Sequence, residues 1–220
     1  MNIARFIDHT LLKPDATREE IAGLCREAKT HGFFSVCVNS SRVALAAREL
    51  HGSSVQIAAV TGFPLGAMSS AAKAFETGEA VKHGASEIDT VMAVGHLKDG
   101  DTGFVLDDLR GVVSAAGPAK VKVILETCLL TDEEKILACR LALDAGAAFV
   151  KTSTGFSTGG ATLDDVRLMV AAVAGKCGVK ASGGIRDLES ARSMLEAGAT
   201  RLGTSNGVKI VAGESAAGGY

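Results

Sequence analysis

The sequence predicts a single-domain α/β protein of the (β/α)8, or TIM-barrel, class. Short apolar runs alternate with amphipathic stretches along all 220 residues. Eight strand–helix units fit into that length, and eight regular units close naturally into a barrel. No Pro/Ser-rich linker or block of charge divides the chain, so one core serves the barrel. An open doubly wound sheet shows the same alternation and is the rival architecture; the count of eight favours closure.

Strands are expected over 5–9, 33–38, 55–60, 86–92, 121–126, 147–151, 178–181 and 200–204. Runs such as Val55–Val60 are nearly continuous in apolar character, as strands of a parallel sheet buried on both faces require. Helices are expected between them. Ile21, Leu24, Cys25 and Ala28 form one apolar stripe, and Val166, Met169, Val170 and Val173 another. Thr17, Thr131 and Thr162 each precede a carboxylate by three residues, the signature of a capping box at a helix start. Gly32, Gly84, Gly146 and Gly198 follow amphipathic stretches and precede short apolar runs, where a helix ends in a left-handed residue. The barrel is expected to span 1–212, followed by a flexible Gly- and Ala-rich tail over 213–220.

Composition narrows the classes of function. A formal net charge of −2 offers no basic excess for a phosphate backbone, which argues against nucleic acid. Five dispersed cysteines without a C-x-x-C pair suit free thiols in a reducing compartment. The N-terminus lacks a long apolar signal segment, and no run approaches the ~20 apolar residues of a membrane helix. The expected protein is cytoplasmic, with a small molecule as its partner and no membrane. No G-x-G-x-x-G opens a helix after a strand, and no ligand spacing joins the five histidines, so neither a nucleotide cofactor nor a metal is expected.

Active sites of such barrels lie at the C-terminal ends of the strands. Two lysines, Lys151 and Lys180, sit at or near the ends of apolar strands 6 and 7. A buried ammonium is expensive, and each of two neighbouring ammoniums disfavours the other's charge, which yields a neutral, nucleophilic amine. Lowering a lysine pKa from about 10.4 to about 7 takes about 4.6 kcal/mol of electrostatic bias. A carbonyl substrate would then form a Schiff base. Asp89, within an apolar strand, is the first candidate for proton transfer, with Asp8 and Glu126 as competitors. The loops Ser182-Gly183-Gly184 and Thr204-Ser205-Asn206-Gly207 follow strands 7 and 8, where these barrels bind phosphate. Cys37 could line the pocket from strand 2, but the residues favour a buried inert thiol.

Tyr220, the only tyrosine, ends the tail. Eight extended residues reach up to about 28 Å, enough to fold back across the barrel mouth. There a phenol would join the proton relay. A phosphosugar isomerase or epimerase, or a non-catalytic phosphosugar sensor, would share the phosphate loops without needing two strand-end lysines.

Seven segments are similar to the deoxyribose-phosphate aldolase family. They are Ile7–Pro14, Cys37–Asn39, Gly62–Gly66, Glu87–Asp89, Phe149–Gly155, Val179–Arg186 and Arg201–Gly207, in order and at compatible spacing. The resemblance implies a metal-free class I aldolase. Its reaction is cleavage of 2-deoxy-D-ribose 5-phosphate to D-glyceraldehyde 3-phosphate and acetaldehyde, in deoxyribose catabolism. It makes Lys151 the Schiff-base residue, Lys180 the lysine that perturbs it and assists proton transfer, and Asp89 the acid/base partner, acting through a water. It maps Gly155, Gly183, Gly184, Ser205 and Asn206 onto the phosphate site. Many relatives read Ser-Ser-Gly where this chain has Ser205-Asn206-Gly207, so a carboxamide replaces a hydroxyl there. A homo-oligomer, dimer or tetramer, is expected.

Overall fold

The computed structural model describes residues 2–214. The tail beyond Glu214, and with it the expected entry of Tyr220 into the site, lies outside the described residues. Eight parallel strands, β1 (Ile7–Leu11), β2 (Ser35–Asn39), β3 (Gln56–Thr61), β4 (Glu87–Val91), β5 (Lys120–Ile124), β6 (Phe149–Lys151), β7 (Gly178–Ser182) and β8 (Arg201–Thr204), close into a barrel in sequence order. Around it lie α1 (Arg18–His31), α2 (Val43–Glu49), α3 (Ser70–Lys82), α4 (Val94–Lys98), α5 (Thr102–Ala116), α6 (Asp132–Asp144), α7 (Leu163–Val173), α8 (Leu188–Glu196) and α9 (Gly207–Ala212). Among the described residues no helix is long and apolar enough to cross a membrane.

All eight expected strands are present, with shifted ends. The first shift matters most. Residues Ile3–Phe6 form a 3-10 turn, capped by the Asn2 side chain, and the strand begins only at Ile7. Asp8, expected near the C-terminal end of its strand, is therefore the second residue of β1. Strand β5 stops at Ile124 rather than 126, which leaves Glu126 in a loop with a left-handed φ of 57°.

Alternation along the strands divides the barrel sharply. Ile7, Val36, Val38, Ile57, Ile88, Val121, Val123, Val150, Val179 and Leu202 pack outward with the helices in the main apolar core. Their strand neighbours Asp8, Ser35, Glu87, Asp89, Lys122, Lys151, Lys180 and Arg201 are buried on the opposite, interior side. Barrels of this class usually fill that space with branched aliphatic residues. Here the interior is charged, and small residues leave room for it. A Cβ on Gly203 would lie 2.9 Å from Lys180 Cε, so glycine is what admits the lysine. A minor apolar cluster of Leu12, Cys37, Ala58 and Val60, with Phe63 packed on it, fills another part of the interior.

The helix signals are realised with one exception. Thr17–Glu20 and Thr131–Glu134 make reciprocal capping boxes. Thr162 accepts from the Asp165 N–H, but the Asp165 carboxylate goes instead to Lys135 at 2.6 Å, so this box is half formed. Asp187–Ser190, unforeseen, makes a reciprocal box at α8. Gly32, Gly84, Gly146 and Gly198 all have positive φ, as left-handed helix stops demand. Between α3 and α5 a fully buried ion pair, Lys73–Asp108 at 2.5 Å, lies under the Gly62–Gly66 loop.

Candidate active site

The strand register sets Lys151 beside Lys180 and Asp89 beside Lys122. Closure then brings both pairs onto one carboxylate. Asp89 Oδ2 accepts from Lys151 Nζ at 2.8 Å and from Lys180 Nζ at 2.7 Å, while Oδ1 accepts from Lys122 Nζ at 2.7 Å. Lys180 also donates a short hydrogen bond to Asp8 Oδ2. Asp8 is held in turn by Ser35 Oγ at 2.7 Å and by Arg201 at 2.8 Å.

These contacts separate the two lysines electrostatically. Burial pushes the Lys151 pKa down; the Asp89 carboxylate opposes this, and the Lys180 ammonium adds to it, with the net result below the ordinary lysine value. Lys180 is desolvated as well, yet Asp8 and Asp89 together raise its pKa strongly. The expected mutual perturbation is thus one-sided. Of the two, Lys180 holds its proton the more tightly and Lys151 the less. Asp89 stays ionised well below the usual carboxylate range, because its three lysines outweigh its burial.

The competing carboxylates have other duties. Glu126 accepts from the Thr154 N–H at 3.2 Å and makes a short hydrogen bond with the Thr154 hydroxyl, which ties down the loop after β6. Asp8 serves Lys180, Ser35 and Arg201, and its pKa is lowered despite burial by Lys180, Lys122 and Arg201. Of the three candidates, Asp89 alone has a hydrogen bond to Lys151 among the described contacts. Cys37 is fully buried, and burial raises its thiol pKa, with Asp89 acting in the same direction. His9 is buried and bonded to Glu27 at 2.6 Å. Among the described residues no group of three or more metal-ligating side chains converges.

Lys151, only 2% exposed, is reached through a small recess of about 20 Å³ between Thr154, Ser182 and Gly203, room for roughly one water. The recess shares Gly155, Gly183 and Ser205 with a larger cavity of about 270 Å³. All five expected phosphate-site residues, Gly155, Gly183, Gly184, Ser205 and Asn206, line the larger cavity. Its wall is tight backbone. A Cβ on Gly160 would lie 2.4 Å from the Gly183 carbonyl oxygen, and Ala161 N–H donates to the carbonyls of Ser182 and Gly183. The Asn206 N–H is already used, donating to Thr204 Oγ1 at 2.9 Å. Its carboxamide, not its amide N–H, is therefore what this residue offers a ligand.

A family model for DeoC/LacD family aldolases matches residues 3–213. The chain belongs to that aldolase family. The deoxyribose-phosphate aldolase of Bdellovibrio bacteriovorus is 57% identical over 220 residues, covering 100% of both chains. That of Geobacillus sp. is 59% identical over 100% of this chain and 99% of its own. Among solved structures, a tetrameric deoxyribose phosphate aldolase from Aeropyrum pernix superposes with a TM-score of 0.90 at 35% identity, over 96% of this chain and 89% of that one.

Three participants in this aldolase's interior escaped the sequence reading, namely Lys122, Glu87 and Arg201 as members of one network. Lys122 bonds Glu87 at 2.6 Å, and Arg201 bonds Glu87 at 2.9 Å while stacking 3.5 Å over the Phe34 ring. The available signal was a charge inside an apolar strand, Val121-Lys122-Val123-Ile124, rather than at its end. Arg186, which lines the larger cavity and is exposed, was also missed as a cation at its rim.

Proposed function

We propose that this aldolase cleaves 2-deoxy-D-ribose 5-phosphate reversibly to D-glyceraldehyde 3-phosphate and acetaldehyde, through an imine on Lys151. One observation carries the mechanism. A buried amine with a lowered pKa stands 2.8 Å from an ionised carboxylate, at the end of a recess that adjoins a glycine-lined cavity. The substrate assignment is supported by full-length relatives that carry this name at 57% and 59% identity.

The phosphate occupies the larger cavity, against Gly155, Gly183, Gly184, Ser205 and the Asn206 carboxamide, with Arg186 adding positive charge at the rim. That anchors the open-chain sugar with its aldehyde carbon in the recess at Lys151. The neutral Nζ attacks the aldehyde carbon, and the carbinolamine takes up one proton from solvent as water departs, leaving a protonated imine; hydrolysis later returns that proton. Asp89, acting through a water, accepts the proton of the C3 hydroxyl. The C2–C3 bond then breaks, its electron pair moves into the enamine, and glyceraldehyde 3-phosphate leaves. Protonation of the enamine at C2 and hydrolysis release acetaldehyde and restore the Lys151 amine. The strongly raised pKa of Lys180 suits it to electrostatic support of this sequence better than to giving up its own proton.

Assembly as a homo-oligomer is part of the proposal, supported by the tetrameric Aeropyrum relative and by the exposed side chains of Leu65 and Phe75. The test of function is a coupled assay for both products from 2-deoxy-D-ribose 5-phosphate, run with and without EDTA. Equimolar products at an unchanged rate in EDTA are expected. Consumption without acetaldehyde, or a rate abolished by EDTA and restored by zinc, would overturn the assignment.

A further inference from the structure

The charges around Asp89 close on one another. Arg201 contacts Asp8 at 2.8 Å, Asp8 contacts Lys180, and Lys180 contacts Asp89 at 2.7 Å. Asp89 contacts Lys122 at 2.7 Å, Lys122 contacts Glu87 at 2.6 Å, and Glu87 returns to Arg201 at 2.9 Å. The six groups alternate in sign around this ring, three cations against three carboxylates. Lys151 hangs from Asp89 as a seventh group outside it.

We infer that Arg201, Glu87 and Lys122 are positioning residues of the aldol reaction, completing a charge-balanced ring that leaves Lys151 as the surplus cation, which therefore sheds its proton. The inference rests on the Lys151 imine proposed above and explains why that lysine supplies the free amine.

An uncompensated charge in a dry interior is relieved most cheaply by loss of a proton. The guanidinium of Arg201 cannot lose one. Lys122 faces Asp89, Glu87 and, at 3.8 Å, Asp8, while Lys180 faces Asp8 and Asp89. Lys151 faces one carboxylate, Asp89 of β4, with the Lys180 ammonium of β7 and the Cys37 thiol of β2 also near it. Lys151 is thus the least compensated of the three lysines. Arg201 is fixed from both sides, by Asp8 of β1 and Glu87 of β4, and is enclosed by Phe34 and by Phe149, whose ring centroid lies 5.2 Å away. The ring also acts after the imine forms. The iminium is again a surplus cation, so collapse to the neutral enamine is favoured, and that is the direction of carbon–carbon cleavage.

The test is the pH midpoint for borohydride trapping of acetaldehyde on Lys151, with the modified peptide mapped. Glu87→Gln removes a ring anion and should move the midpoint down by about one pH unit. Arg201→Met removes a ring cation and should move it up by a similar amount, while Arg201→Lys should keep the wild-type midpoint. The double variant Glu87→Gln/Arg201→Met restores balance and should return close to wild type. Damage to packing alone would shift both single variants the same way and accumulate in the double. If Arg201→Met does not fold, Lys122→Met replaces it with the same expected sign, and the downward shift in Glu87→Gln decides independently. Adduct on Lys151 with midpoints that stay fixed, or that move in one direction, overturns the ring alone. Absence of any Lys151 adduct in the wild-type protein overturns the underlying imine.

Discussion

At the scale of single residues, the site depends on two lysines of one chemical type whose pKa values are pushed in opposite directions. Lys180 is clamped between Asp8 and Asp89, whereas Lys151 leans on Asp89 alone. Lys180→Met should therefore act first through charge. With that ammonium gone, Asp8 and Asp89 each lose one of their cations, and Lys151 keeps its proton to higher pH. Turnover near neutral pH should fall about 100-fold or more, in the range that loss of an acid–base group typically costs. The midpoint for imine trapping should move upward. Lost turnover with an unmoved midpoint would assign Lys180 to proton transfer instead. Lys151 and Lys180 were legible in the sequence because the expected strands ended at or just after them, and Asp89 because it interrupts an apolar run. Lys122 was not, since a lysine in mid-strand reads equally as a solvated face until closure shows which side is interior.

At the scale of elements, the helices do more than shield the barrel. Lys73 of α3 and Asp108 of α5 are both completely buried, and Lys73 Nζ also approaches the Gly66 carbonyl at 3.5 Å. The pair thus joins two helices and supports the loop after β3. That loop is packed closely against β4's end, where a Cβ on Gly66 would lie 2.2 Å from the Met92 carbonyl oxygen. Removing one partner leaves a buried charge unpaired, so Asp108→Ala should destabilise the fold by about 3–5 kcal/mol. Lys73→Met/Asp108→Leu, which removes both charges and keeps apolar volume, should recover most of that loss. Denaturant unfolding checks both values, and a double variant as unstable as the single would show that the volume, not the charge, matters. The helices themselves were legible from stripes, caps and glycine stops. This ion pair was not, because nothing in the sequence marks a lysine of one helix and an aspartate of another as partners until the helices pack.

At the scale of the whole molecule, stability and chemistry are kept in different layers. The apolar core lies between sheet and helices, and the charges lie inside the barrel. Asp8 and Asp89 have folded-state pKa values below their unfolded ones. Their contribution is therefore present above about pH 3.9 and is lost as pH falls through that unfolded value toward the folded ones. Lys151 has the opposite effect. A lysine whose folded pKa is depressed opposes folding below its unfolded value, because the unfolded state holds the proton more tightly. Lys151→Met should accordingly be inactive yet more stable at neutral pH, by about 1 kcal/mol or more for each unit of depression removed. Each kcal/mol should raise Tm by about 2–4 °C in a chain of this size. A Tm equal to or below that of the wild type would contradict a depressed Lys151. The barrel was legible from its eightfold cadence, but not the distance between the charges, which only strand shear and closure determine.

The proposed reaction stands or falls with Lys151 as the nucleophile, and trapping of the imine tests that role. The protein is incubated with acetaldehyde, reduced with borohydride, digested and mapped by mass. A two-carbon adduct on the peptide containing Lys151 is expected, with Lys180 unmodified. An adduct confined to Lys180, or no adduct at all, would rule out Lys151 as the nucleophile.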